Sequence, residues 1–219
     1  MKLPISDRLL ACAAFVHPGD RIADVGCDHG YLSIHLLQQG IAKSTICSDI
    51  KEQPLQSAIR NAEKYGLRDK MEFHLSDGVQ NIPRDFDTLI CAGMGADTMV
   101  SILEAAPWLK DGKYRLVLQC QSKTPMLRKY LSDNGYSISK ESVLKDGRFL
   151  YTVMEVAYDP AALRLTPAQC YLPPVLPNTK DANAYRQWVI GGLRIAVQHQ
   201  NDPEKQALLQ ELEDTYDYC

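Results

Sequence analysis

Two carboxylates and two glycines stand close together in Ile22-Ala23-Asp24-Val25-Gly26-Cys27-Asp28-His29-Gly30. An apolar run that ends this way reads as a strand-to-helix turn, where glycines let a ligand approach the backbone and an acid can accept from it. Asp49 comes 25 residues after Asp24. A carboxylate there, after the next strand, can accept both hydroxyls of a ribose; a helix cap is the plain alternative. Asp77-Gly78 follows a third apolar run, where the acid could accept from an adenine amino group. Ala92-Gly93-Met94-Gly95 follows a fourth and would shape the same cleft with its carbonyls and Met94. Each of these alone is explicable as a turn. Acids after three successive strands favour an adenosine-bearing ligand. The first loop is Asp-x-Gly-x-x-x-Gly, which suits S-adenosyl-L-methionine (SAM) better than a dinucleotide, since SAM has no pyrophosphate for a helix N-terminus to hold.

These loops need a scaffold. Apolar runs at 21–25, 44–49, 71–75, 88–92 and 115–119 alternate with helical patterns at about 5–16, 31–39, 54–65, 97–109 and 124–134. The alternation predicts an α/β fold with a largely parallel sheet covered on both faces. Residues 136–144 and 149–158, joined at Asp146-Gly147, read as a closing antiparallel hairpin. Beyond Asp159 the prolines Pro160, Pro167, Pro173, Pro174 and Pro177 mark loops, followed by helices at about 182–199 and 203–216. The expected division is an α/β domain over 1–160 and a small helical domain over 161–219. Trp108 and Trp188 fall at helix spacing and read as packing residues, and His35 as a surface or core residue.

Composition narrows the function classes. A chain of 219 residues that is 45% hydrophobic and 23% charged has an ordinary globular balance. No apolar run approaches the roughly 20 residues of a membrane-spanning helix, and the start lacks a cleavable signal pattern. The seven cysteines are scattered without a CxxC pair, which argues against a zinc ribbon or a disulfide scaffold and fits a reducing cytoplasm. No metal-ligand cluster is visible. A net charge of −3 argues against bulk polycationic binding of nucleic acid, leaving room for a local basic patch.

Taken together, Asp24 to Leu32, Ser48-Asp49-Ile50, Asp77-Gly78, Ala92-Gly93-Met94-Gly95 and Leu118-Gln119 resemble the bacterial tRNA (adenine-22-N1)-methyltransferase family. Pro54-Leu55-Gln56-Ser57-Ala58, Leu127-Arg128 and the helical tail extend the resemblance over nearly the whole chain. Departures fall at Ser33, Ala96 and Cys120-Gln121, where the family commonly has proline, glycine and Pro-Asn or Pro-Lys. The resemblance implies a Rossmann-like class I methyltransferase sheet with a C-terminal coiled-coil-like domain. It also implies methyl transfer from SAM to N1 of an adenine in the D-arm region of tRNA. The cofactor set it implies is Asp24, Gly26, Asp28, Gly30, Asp49, Ile50, Asp77, Gly78, Ala92, Gly93 and Met94.

Methylation of N1 leaves a positive charge on the base, which a nearby carboxylate would stabilise more in the transition state than in the ground state. Asp28 is the first catalytic candidate, with His29 and Tyr31 as positioning groups; contact with the methionine part of SAM is the other role open to Asp28. For the RNA, residues 110–148 hold nine basic against four acidic side chains, among them Lys123, Arg128 and Lys145. The tail holds five basic against seven acidic, with Arg186 and Arg194 on one side of its long helix. The tail is expected to serve the RNA rather than SAM; a dimerisation helix pair is the alternative. Another SAM-dependent methyltransferase, acting on a small molecule or protein, and a binding module without turnover remain as alternative functions.

Overall fold

The computed structural model describes residues 3–199 and 202–216. Among these the chain runs α1 (Asp7–Ala13), β1 (Asp20–Val25), α2 (Tyr31–Gln38), β2 (Ala42–Asp49), α3 (Glu52–Lys64), β3 (Met71–Leu75), β4 (Thr88–Met94), α4 (Ala96–Glu104), β5 (Arg115–Cys120) and α5 (Thr124–Asp133). It continues through β6 (Tyr136–Asp146), β7 (Phe149–Tyr158), α6 (Pro167–Tyr171), α7 (Lys180–His199) and α8 (Pro203–Tyr216). The strands form one sheet in the order β3-β2-β1-β4-β5-β7-β6. It is parallel from β3 to β5, and β7 is antiparallel to both β5 and β6. The winding direction reverses between β1 and β4, so the connections leaving them diverge and open a crevice at their carboxyl ends.

Strand periodicity divides the core. Ala23, Val25, Leu89, Cys91, Leu116 and Leu118 pack on one face with α4 and α5; Ile22, Ile90 and Val117, between them in sequence, pack on the other with α1, α2 and α3. Side chains alternate across a strand, so strands buried on both faces must be apolar throughout. Each fully buried leucine or isoleucine here contributes roughly 1.5–3 kcal/mol.

The tail makes a third cluster, in which Leu172, Tyr185, Val189, Leu193 and Leu212 pack with Val143 of β6. Beside it Arg128 of α5 is wholly buried and paired with the buried Glu141 of β6: Nη2 lies 2.5 Å from Oε1 and Nε 3.2 Å from Oε2. The remaining Nη1 donates to the carbonyls of Cys170 and Tyr171 at 2.9 Å, and Nη2 reaches the Tyr185 hydroxyl at 3.5 Å. Burial works against this charge, but the attraction of Glu141 outweighs it and holds the guanidinium protonated more firmly than usual.

The structure corrects several expectations. β4 does not end at Ala92: Gly93, at φ +81°, forms a bulge and Met94 still pairs with Cys120. α4 is shorter than expected, ending at Glu104, with a separate 3-10 turn at Pro107–Leu109. Pro167 does not mark a loop but opens α6, where Thr166 and Gln169 form a capping box. Trp188 is 66% exposed and is not a packing residue. Trp108 packs edge-on against Phe86 and Tyr114. No helix among the described residues is long and apolar enough to cross a membrane, and no group of three or more His, Cys, Asp or Glu among them could hold a metal ion.

Candidate active site

The crevice holds a cavity of about 230 Å³ lined by Asp24, Gly26, Asp28, His29, Tyr31, Ala92 and Gly93, joined by Arg8 and Leu9 of α1. β1 delivers Asp24 at its buried end. The chain then turns through Gly26 at φ +70° and Asp28 at φ +50°, while the amides of Gly26 and Cys27 both donate to Ser48 O, at 2.8 and 2.9 Å. Gly26 is needed for its dihedral angle; the atom that a Cβ there would meet is the flexible methyl end of Met94, which can move aside. Gly30 serves packing: a Cβ there would lie 3.1 Å from Ala58 of α3.

Asp24 is 4% exposed, and its Oδ2 accepts from Ser33 Oγ at 2.8 Å. Burial pushes its carboxyl up to about 6, against the Ser33 hydrogen bond and with help from the charge of Asp49. Asp49 accepts from the amide of Lys51 at 2.9 Å with Oδ1 and from that of Asp28 at 3.2 Å with Oδ2. Each oxygen therefore keeps a lone pair for another donor. Asp49 is no helix cap, since Lys51 takes that position on α3. Ile50 beside it is 63% exposed. Asp77 is exposed and Gly78 buried at the end of β3; Gly78 O accepts from Ser48 Oγ at 3.3 Å.

At the rim the Asp28 and His29 side chains are 69% and 50% exposed, with His29 Nε2 3.7 Å from Asp28 Oδ1, and the His29 ring stacks on Tyr31 at 5.6 Å. His35 is half-buried on α2, outside the cavity lining. The neighbouring thiols are poor nucleophiles. Burial drives Cys12 and Cys91 up to about 12, and a hydrogen bond to Cys47 together with burial raises Cys27 strongly. A site with a buried acid, one exposed rim acid and buried, raised neighbouring thiols suits binding and alignment of a cationic ligand, not covalent catalysis.

Sequence reasoning missed Arg8. Its Nε is buried without a hydrogen-bond partner, and its guanidinium lies 5.4 Å from the Tyr151 ring. The available signal was a lone arginine in a short helix whose other residues, after Asp7, are apolar. Ser33 was noticed only as a departure, although its hydroxyl is the partner of Asp24.

The basic stretch proves heterogeneous. Arg128 is sequestered with Glu141, Arg115 is bound to Asp20 at 2.8 Å, and Lys129 pairs with Asp133 at 2.7 Å. Arg186 donates to the carbonyls of Leu176 and Pro177, and Arg194 pairs with Glu213 at 2.6 Å. Both arginines knit the tail together, because a helical hairpin this small needs polar ties between its segments.

Residues 5–154 match the family model for a methyltransferase domain. The tRNA (adenine(22)-N(1))-methyltransferase of Bacillus subtilis is 30% identical over 195 residues, covering 85% of this chain and 81% of that protein. The chain belongs to the tRNA (adenine(22)-N(1))-methyltransferase family. Solved members of this family share the fold over almost their full length. The crystal structure of the B. subtilis m1A22 tRNA methyltransferase superposes with a TM-score of 0.82 at 26% identity, over 99% of this chain and 97% of that one. Streptococcus pneumoniae Sp1610, a proposed tRNA (m1A22) methyltransferase solved in complex with SAM, gives 0.84 at 30% identity, over 95% and 99%.

Proposed function

We propose that this chain transfers the methyl group of SAM to N1 of adenine 22 in tRNA. The observation that carries the reading is the cleft at the β1/β4 reversal, where a buried acid and a partnerless arginine nitrogen face a glycine turn, in a member of this family. When bound, SAM supplies a methyl group made electrophilic by its sulfonium.

The residues present fit that cofactor. Asp24 would take the ammonium of the methionine part and Arg8 its carboxylate. The free lone pairs of Asp49 would take the ribose hydroxyls, and exposed Ile50 and Asp77 would border the adenine. Gly26, Ala92 and Gly93 line the cavity, and Gly78 and Met94, outside its lining, would border the bound cofactor. As N1 bonds to the methyl carbon, the carbon–sulfur bond breaks, its electron pair stays on sulfur, and the base becomes cationic. Asp28 stabilises that charge, while His29 and Tyr31 orient the base drawn out of its stack.

The division of labour assigns residues 1–160 to cofactor and chemistry and 161–219 to the tRNA. The proposed compartment is the cytoplasm. The test is incubation of the full chain with labelled SAM and unmodified tRNA, followed by nucleoside mapping by mass spectrometry. Label in 1-methyladenosine at position 22 is expected; label in another nucleoside, or transfer only to protein or small molecules, overturns the reading.

A further inference from the structure

A second cavity, of about 370 Å³, opens on the other side of the loop that follows β5. Its walls are that loop, Leu150 and Thr152 of β7, and the face of α7 carrying Tyr185 and Trp188. The size is that of a ligand site. Thr152 is 1% exposed, and its hydroxyl has no hydrogen-bond partner. Native proteins rarely leave such a group unpaired, so it points to a polar ligand. Trp188 exposes two-thirds of its surface here, its ring tilted 33° from that of Tyr185 at 5.8 Å. An exposed ring at a cavity mouth is a stacking surface for a planar ligand. The lining includes one ammonium, Lys123, which is paired with Asp97 at 2.9 Å, and no carboxylate, whereas the cofactor cleft includes Asp24 and Asp28.

The two cavities share a wall. Gln121 lines the second, and its Nε2 lies 3.6 Å from where a Cβ would stand on Gly93, which lines the first. The loop is pinned: Gln121 N donates to Met94 O at 2.8 Å, and Ala96 N donates to Ser122 O at 3.1 Å.

We propose that this cavity seats a second, unstacked nucleobase of the tRNA, the strand neighbour of the adenine being methylated. The proposal rests on the acceptor reading above and adds a subsite to it. Drawing one base out of a helix deprives its neighbour of a stacking partner, and Trp188, backed by the buried Tyr185, supplies a replacement. The edge of the base offers donors and acceptors to Thr152 and Gln121, and the exposed Lys123 would exchange its partner Asp97, at 2.9 Å, for the adjoining phosphate.

The sequence has two tryptophans, so the full-length Trp108→Phe variant leaves Trp188 as its one indole. An unmodified tRNA transcript should quench its emission, and SAM alone should not. Trp188→Ala should raise the KM for tRNA roughly tenfold with SAM affinity and Tm retained, Trp188→Phe should recover most of that loss, and Thr152→Val should raise KM severalfold. Absence of quenching overturns the proposal whether or not the protein methylates the transcript, as does an unchanged KM in Trp188→Ala. Emission that varies with protein concentration without RNA assigns the cavity to a second copy and also overturns it. Quenching by a transcript that is never methylated supports the subsite and overturns the acceptor reading alone.

Discussion

Asp24 and Arg128 are both buried charges, yet their surroundings differ in kind. Arg128 has its counterion, two carbonyls and a tyrosine hydroxyl around it, all supplied by the protein. Asp24 has the hydroxyl and backbone of a single serine, Ser33, and, across the same small cleft, an arginine whose Nε has no partner. The first is a finished joint between the sheet and the tail. The second is unfinished, and its missing partners resemble the ends of a zwitterionic ligand. Burial with full compensation builds structure, whereas burial without it marks a place reserved for something else.

The contrast can be broken by mutation. Arg128→Met should cost about 3–5 kcal/mol in chemical denaturation, because Glu141 is left charged and buried, and adding Glu141→Leu should recover most of the loss. If the double variant is no more stable than the single, the joint depends on more than this pair. On the cofactor side, Asp49→Ala should weaken SAM binding by roughly 2–3 kcal/mol in a calorimetric titration, through loss of charge-assisted hydrogen bonds. Unchanged affinity would remove Asp49 from the ribose. Asp28→Ala should lower kcat roughly 10- to 100-fold with a smaller effect on SAM affinity; equal losses would make Asp28 a cofactor ligand.

The smallest expected effect is a pH dependence. The Asp24 carboxyl, at about 6 in the fold against 3.8 normally, binds its proton more tightly when folded. Its contribution to stability is therefore present below pH 3.8 and is lost as pH rises through about 6. A cationic ligand needs the ionised form, so SAM affinity should rise from pH 5 to pH 7 with proton release on binding at the low end. Calorimetry in two buffers of different ionisation enthalpy would detect it, and identical heats would separate Asp24 from the ligand.

The cofactor side was legible because its parts are local. A strand, a glycine turn and an acid lie within nine residues between Ile22 and Gly30, and β3 runs over Met71–Leu75 as its apolar pattern predicts. The second side was not. Arg128, Glu141 and Cys170 meet across 42 residues of sequence, and no periodicity distinguishes a buried arginine from a solvated one. Trp188 shares the helix spacing of Tyr185 and Val189, yet it emerges beside the cavity because the neighbouring loop leaves a gap. The bulge at Gly93 was hidden for a different reason: a glycine after a strand signals a turn, and only pairing with β5 carries the strand onward.

The buried thiols turn these two regions into separately readable clocks. Cys27 and Cys91 sit at the cofactor side and Cys170 beneath Arg128, all free, buried and held in the unreactive protonated form. An alkylating reagent must then wait for each neighbourhood to open, so labelling followed by peptide mass analysis times the opening of each region without any engineered probe. Bound ligand would slow the clocks at the cleft, while the one at the joint kept its own time.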